Sequence, residues 1–333
     1  MKALKNLFIL LLIISFAILN TGCKKETSVE PEIDEVQVLL EYLETDNYIN
    51  TTACPSVINA EDVYAYVQNN PTKIYIMDVR DSATFVTKGR IRGAVRVDYA
   101  KAIDHIMGLP NWQNYDRIVV VCYSGQSSGY IVSFLRMLGY NNVWSLKYGM
   151  SSWNEVFAQG YWLQAIGNSR AGQFTTDSVP KNPAGPLPTF EKTGKKTGKE
   201  ILIERAKRLV AQGYTPARIT HSVVFDSLNN YYIVDYRPYD HYKQGHIPGS
   251  VHYTPRSDLK STTHLKTLPI NKPIVVYCYT GQTSAHIVAF LRALGYDARS
   301  LLYGTNAMIY DTMPGTKFVP ANDIKNYPYV TGP

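Results

Sequence analysis

Between residues 74 and 148 short apolar runs alternate with polar stretches. Runs rich in β-branched residues occupy 74–79, 94–97, 117–122 and 143–148. Each has the length and composition of a buried strand. Between the third and fourth runs, Ile131, Phe134, Leu135 and Leu138 recur at helical spacing, and Gly139 marks a stop. This helix is expected to begin near Ser127 or Ser128. Nearly continuous apolar strands joined by helical crossovers predict an α/β fold, a parallel sheet flanked by helices on both faces. Ligand sites in such sheets lie at the carboxyl ends of strands.

The same pattern then returns. CYSGQSSGYIVSFLRMLGY, from Cys122, reappears as CYTGQTSAHIVAFLRALGY, from Cys278, with thirteen of nineteen positions identical. Upstream, IYIMDVR (74–80) returns as YYIVDYR (231–237), and KGRIRGAVRVD (88–98) as QGHIPGSVHYT (244–254). Downstream, LKYGM (146–150) returns as LLYGT (301–305). Order is kept and spacing holds to within a residue. The period is too long for a solenoid and indicates a duplicated domain. The stretch TTDSVPKNPAGPLPTFEKTGKKTGK between the copies is rich in Pro, Gly, Lys and Thr and lacks apolar periodicity, as a linker does. The expected organisation is a leader at 1–22, a polar tether at 23–52, a first domain at 53–174, a linker at 175–198, a second domain at 199–318 and a tail at 319–333.

The leader joins Lys2 and Lys5 to a thirteen-residue apolar run, residues 7–19, ahead of Gly22-Cys23. That run is shorter than the roughly 20 residues a spanning helix needs, and it reads as a secretory signal. It resembles a bacterial lipoprotein signal, with Asn20 where Leu is usual. The resemblance implies lipidation of Cys23 and a protein held at a membrane in the cell envelope, outside the cytoplasm. An ordinary signal cleaved nearby is the other reading.

The net charge of +7 falls to +5 without residues 1–22, and lysines concentrate in EKTGKKTGKE (191–200). Basic and aromatic residues do not interleave as in single-strand binders, so no nucleic-acid partner is expected. Four cysteines in 333 residues are too few for a disulfide scaffold. No His/Cys cluster has metal-ligand spacing, so neither metal nor cofactor is expected.

Cys122 and Cys278 each stand where a strand ends and a short loop enters a helix. Backbone N–H groups at such a junction bind anions and favour a thiolate. The candidate loops are Tyr123, Ser124, Gly125, Gln126 and Ser127, and Tyr279, Thr280, Gly281, Gln282 and Thr283. A glycine in each lets the backbone curl.

With the D-x-R of residues 78–80 and 235–237, the G-H-I-P-G of the second copy and the closing Y-G, both copies resemble the rhodanese, or sulfurtransferase, domain. The loops look most like those of small bacterial thiosulfate sulfurtransferases. The resemblance implies nucleophiles at Cys122 and Cys278, a cysteine persulfide, a small sulfur-donor anion and a thiol or cyanide acceptor. A persulfide carrier or protein-binding module with little turnover is the alternative; the sequence names no protein partner. Tyrosine phosphatases, whose loop requires Arg six residues after Cys, are excluded because Ser128 and Ser284 stand there. Asp78, Arg80, Asp235 and Arg237 are expected to brace the sites. With no charge in either loop, Arg80 or Arg237 is the candidate for holding the donor, beside N–H groups and hydroxyls. Cys54, absent from the second copy, reads as a packed or exposed thiol or as a resolving partner for Cys122.

Overall fold

A computed structural model describes residues 33–333. The leader and Cys23 lie outside the described residues. In the first copy, strands β1 (Val57–Ile58), β2 (Ile74–Asp78), β3 (Val95–Arg96), β4 (Arg117–Val121) and β5 (Val143–Leu146) form a parallel sheet in the order β1-β5-β4-β2-β3. In the second, β6 (Arg218–Ile219), β7 (Tyr232–Asp235), β8 (Val251–His252), β9 (Ile274–Tyr277) and β10 (Ala298–Leu301) repeat it as β6-β10-β9-β7-β8. The expected α/β fold is therefore present twice. The two-residue edge strands β1 and β6 carry too little pattern to be read from sequence.

Successive side chains of a strand face opposite ways, and this divides the core. In β4, Val119 and Val121 join Trp153 and Phe157 on the outer face. Ile118 and Val120 face inward, into the same cluster as Ile274 and Val276 of β9. Between the sheets lie α2 (Gln126–Met137) and α4 (Gln282–Leu294), packed on one another and buried along almost their whole length. A helix with a sheet behind it and a partner in front must be apolar on nearly all sides. That explains why the repeat is best kept along these two helices. The copies share one hydrophobic core, and residues 34–333 form one compact unit.

The region expected to be a polar tether holds α1 (Glu35–Asp46). Leu39, Leu40 and Leu43 bury one face of it against α3 (Gly198–Ala211). The helices approach closely at Gly198, where a Cβ would lie 2.2 Å from Cβ of Tyr42. Glu35 accepts hydrogen bonds from the Thr193 and Gly194 N–H groups, and Glu44 from Ser261. Polar residues ahead of the helix masked its apolar stripe. The tail returns to the first copy: Val330 bridges to Arg90, and the Trp153 Nε1–H donates to the Pro328 carbonyl at 2.9 Å.

Candidate active site

β4 and β9 end one residue before their cysteines, and α2 and α4 begin four residues after, at Gln126 and Gln282. Gly125 (φ 80°) and Gly281 (φ 75°) immediately precede the helices in the left-handed region, where other residues are strained. Their conformation folds the loop over the sulfur. Gly125 N–H donates to Cys122 Sγ at 3.1 Å and Ser128 N–H at 3.4 Å. The Ser128 hydroxyl lies 3.1 Å from the same sulfur. In the second copy, Ser284 N–H donates to Cys278 Sγ at 3.4 Å, and Cys278 Sγ lies 3.6 Å from the Ser284 hydroxyl. Both cysteines are buried. A sulfur anion here is met by aligned N–H groups and by the positive end of a helix.

Sequence reasoning missed two pairs of residues. Ser128 and Ser284 matter for their own contacts with sulfur as well as for the arginine they replace. Ser145 and Ser300, on the next strand, lie 2.7 and 2.8 Å from those hydroxyls and donate to the Gly125 and Gly281 carbonyls, each at 3.2 Å. A serine at the third place of VWSL and again of ARSL, in the matching strand of each copy, was the available signal.

The other loop residues line or tie down the site. Tyr123 donates to Asp81, lies 2.8 Å from the Thr84 hydroxyl and stacks on Tyr161. Burial and the Asp81 carboxylate push its phenol well above the usual range, and the hydrogen bond holds Asp81 well below its own. Tyr279 is bonded instead to Nδ1 of His241, and burial raises it to about 12. Ser124 accepts from Trp162 Nε1–H at its carbonyl and from Gln126 Nε2–H at its hydroxyl. The Ser127 carbonyl accepts from Tyr99, and the Thr280 hydroxyl from Gln282 N–H.

Arg80 and Arg237 lie behind the loops, the Arg80 guanidinium 5.6 Å from the centre of the Tyr123 ring. Arg80 pairs with Asp78 and bonds the Gly89 carbonyl; Arg237 pairs with Asp235 and bonds the Gly245 carbonyl. Both arginine side chains are 0% accessible, so neither is placed to hold a donor anion. A buried pair of this kind fixes geometry more than it adds stability.

Cys278 and Thr283 open on a cavity of about 310 Å³ that is also lined by Cys54, Tyr236, Arg256 and Tyr279. Cys54 thus shares this cavity with Cys278. Its carbonyl accepts from Arg256 Nε–H and Nη2–H, both at 3.2 Å. Burial pushes its thiol up to about 12, so it stays protonated at neutral pH. Arg256 (φ 64°) is exposed, and no carboxylate pairs with it among the described residues. His246 is buried between the Tyr242 and Asp177 carbonyls.

Comparison with known proteins agrees with this geometry. The family model for the rhodanese-like domain matches twice, over residues 59–156 and 224–309. A 72-residue stretch is 38% identical to a tRNA sulfurtransferase of Desulfurococcus amylolyticus, covering 22% of this chain but only 14% of that protein. An 86-residue stretch is 36% identical to thiosulfate sulfurtransferase GlpE of Shewanella oneidensis, covering 26% of this chain and 80% of the relative. Among solved structures, a rhodanese-related protein of Thermoplasma volcanium aligns at 26% identity and a TM-score of 0.27, over 29% of this chain and 95% of its own. With two matched domains that account for more than half its length, the chain belongs to the rhodanese-like family.

Proposed function

We propose that the protein is a sulfurtransferase that moves sulfane sulfur from thiosulfate or a related anion to a thiol, with Cys122 and Cys278 as its nucleophiles. The observation that carries this reading is that each cysteine sulfur accepts from backbone N–H at a helix N-terminus, from Gly125 and Ser128 at Cys122 and from Ser284 at Cys278. The thiolate attacks the outer sulfur of thiosulfate. The bond from that sulfur to the sulfite sulfur breaks, and sulfite departs with the electron pair. A cysteine persulfide anion remains, its negative charge facing the same N–H donors. An acceptor thiolate then attacks the outer sulfur and leaves as a persulfide, while the cysteine recovers its thiolate. Covalent catalysis divides one transfer into two displacements. The N–H groups are in place before charge moves onto them.

Cys23 is proposed to carry a lipid that holds the protein at a membrane outside the cytoplasm; the lysine-flanked apolar run ahead of Gly22-Cys23 supports this. Incorporation of labelled fatty acid in wild type and its loss in Cys23→Ala checks it.

The function is tested with residues 24–333, thiosulfate and cyanide, comparing wild type with Cys122→Ala, Cys278→Ala and the double variant. Turnover in each single variant and none in the double is expected. Equal turnover in the double variant would remove both cysteines from the reaction. Stoichiometric persulfide without turnover would make the protein a carrier.

A further inference from the structure

The two loops are joined across the centre of the molecule by a reciprocal pair of hydrogen bonds. Gln282 Oε1 accepts from Tyr148 N–H of the first copy at 2.9 Å. Gln126 Oε1 accepts from Tyr303 N–H of the second, also at 2.9 Å. Both glutamines are buried, 1% exposed at Gln126 and 3% at Gln282. Both tyrosines are left-handed at φ 61°.

These contacts lead directly to the sulfurs. A Cβ on Gly125 would lie 2.5 Å from Gln282 Oε1, so this oxygen rests on the glycine whose N–H meets Cys122 Sγ. Tyr148 continues into Gly149, where a Cβ would lie 2.5 Å from the Cys122 carbonyl. Met150 N–H donates to that same carbonyl at 2.9 Å. Gln282 therefore touches the Cys122 loop on its donor side and, through Tyr148, on its carbonyl side. The mirror set is present. Gln126 Oε1 would lie 2.2 Å from a Cβ on Gly281, Gly304 abuts the Cys278 carbonyl, and Thr305 N–H donates to it at 3.1 Å.

We infer that each catalytic loop is positioned by the glutamine of the opposite copy, so that Gln282 is a positioning residue for Cys122 and Gln126 for Cys278. An apolar side chain of equal length would fill the space but leave a buried tyrosine N–H without a partner. The turn beneath the loop would then move to recover one, carrying the loop with it. The working unit is accordingly the pair of copies.

The inference rests on the reading of Cys122 and Cys278 as the reactive thiols, and its test is independent of sulfur transfer. Alkylation by iodoacetamide is followed at each cysteine by peptide mass, as a function of pH, in the folded chain and in Gln282→Met and Gln126→Met. With Gln282→Met, alkylation at Cys122 is expected to slow by about tenfold, equivalent to about 1.4 kcal/mol, and its pH profile to rise. Cys278 in the same variant should slow less than Cys122, because Gln282 meets its own loop through its backbone N–H, which methionine keeps. Gln126→Met should slow Cys278 more than Cys122, although it also removes the bond from Gln126 Nε2–H to the Ser124 hydroxyl inside the Cys122 loop. A generally loosened interface would change both thiols alike in both variants, and that result, or unchanged rates, would overturn the inference. Should a methionine variant not fold, Gln282→Asn and Gln126→Asn, which keep the amide but not its reach, are read the same way.

Discussion

At Cys122 the sulfur meets two backbone N–H groups and a hydroxyl at 3.1 Å; at Cys278 it meets one N–H, with the hydroxyl at 3.6 Å. Tyr123 is held by Asp81 and Thr84, whereas Tyr279 is held by His241. Cys278 shares a cavity of about 310 Å³ with the exposed Arg256, and Ala100 occupies the matching place in the first copy. The loops are near duplicates, yet their surroundings favour different steps. The first site gathers more donors around a sulfur anion. The second offers room and a cation for an incoming donor.

The largest test of that contrast is to silence one site at a time. Cys278→Ala leaves only the first site and Cys122→Ala only the second; steady-state assays on each should show the lower KM for thiosulfate where Cys278 remains. The reverse order would break the contrast.

Next in size is the N-terminal helix, which packs on α3. Leu39→Ala should destabilise the protein by about 2–5 kcal/mol, the usual range for truncating a buried leucine. Chemical denaturation reads the loss, and a change within about 0.5 kcal/mol would mean that α1 contributes little to the shared core.

His286 stands where the first copy has Tyr130. Burial lowers it from 6.5 to about 4, with Arg136 adding to the effect against the Gln282 carbonyl. A depressed folded-state value means that the imidazole is neutral in the native protein and that unfolding takes up a proton below pH 6.5. Its contribution is complete above that pH and is lost as pH falls toward 4, by about 3 kcal/mol in all. Melting temperature in wild type should drop across this window, and His286→Tyr should flatten the drop.

Ser128→Ala, assayed with Cys278→Ala, should cost roughly tenfold in kcat/KM, since hydrogen bonds to charged groups contribute about 1.5–3 kcal/mol. Ser284→Ala, assayed with Cys122→Ala, should cost less because its contact is longer. Smallest of all, Arg256→Ala should raise the second site's KM for thiosulfate by about threefold, diminishing with added salt, as for a solvent-screened cation. Equal effects at both sites would contradict its assignment to the Cys278 cavity.

Much of this was legible in the chain. The runs at 74–79 and 117–122 became β2 and β4 with their ends shifted by a residue, because buried parallel strands are almost uninterrupted apolar sequence. The helix after Cys122 starts at Gln126, just ahead of the expected Ser127 or Ser128, because the glycine turn is tighter than assumed. Both loops were visible as repeated strings. Their supports were less so. Gln282 and Tyr148 are 134 residues apart, Gln126 and Tyr303 are 177 apart, and neither pairing follows from local periodicity. The D-x-R spacing already pointed to Asp78–Arg80 and Asp235–Arg237 as braces, and the aspartates bond those arginines. What the chain does not show is that the pairing and burial take both arginines away from an anion.

The most direct measurement of the central claim is intact mass after exposure of residues 24–333 to thiosulfate and removal of excess donor. The account predicts a gain of two sulfur atoms in wild type, one in each single cysteine variant and none in the double, with all gains reversed by cyanide. No gain in wild type, or the same gain in the double variant, would contradict it.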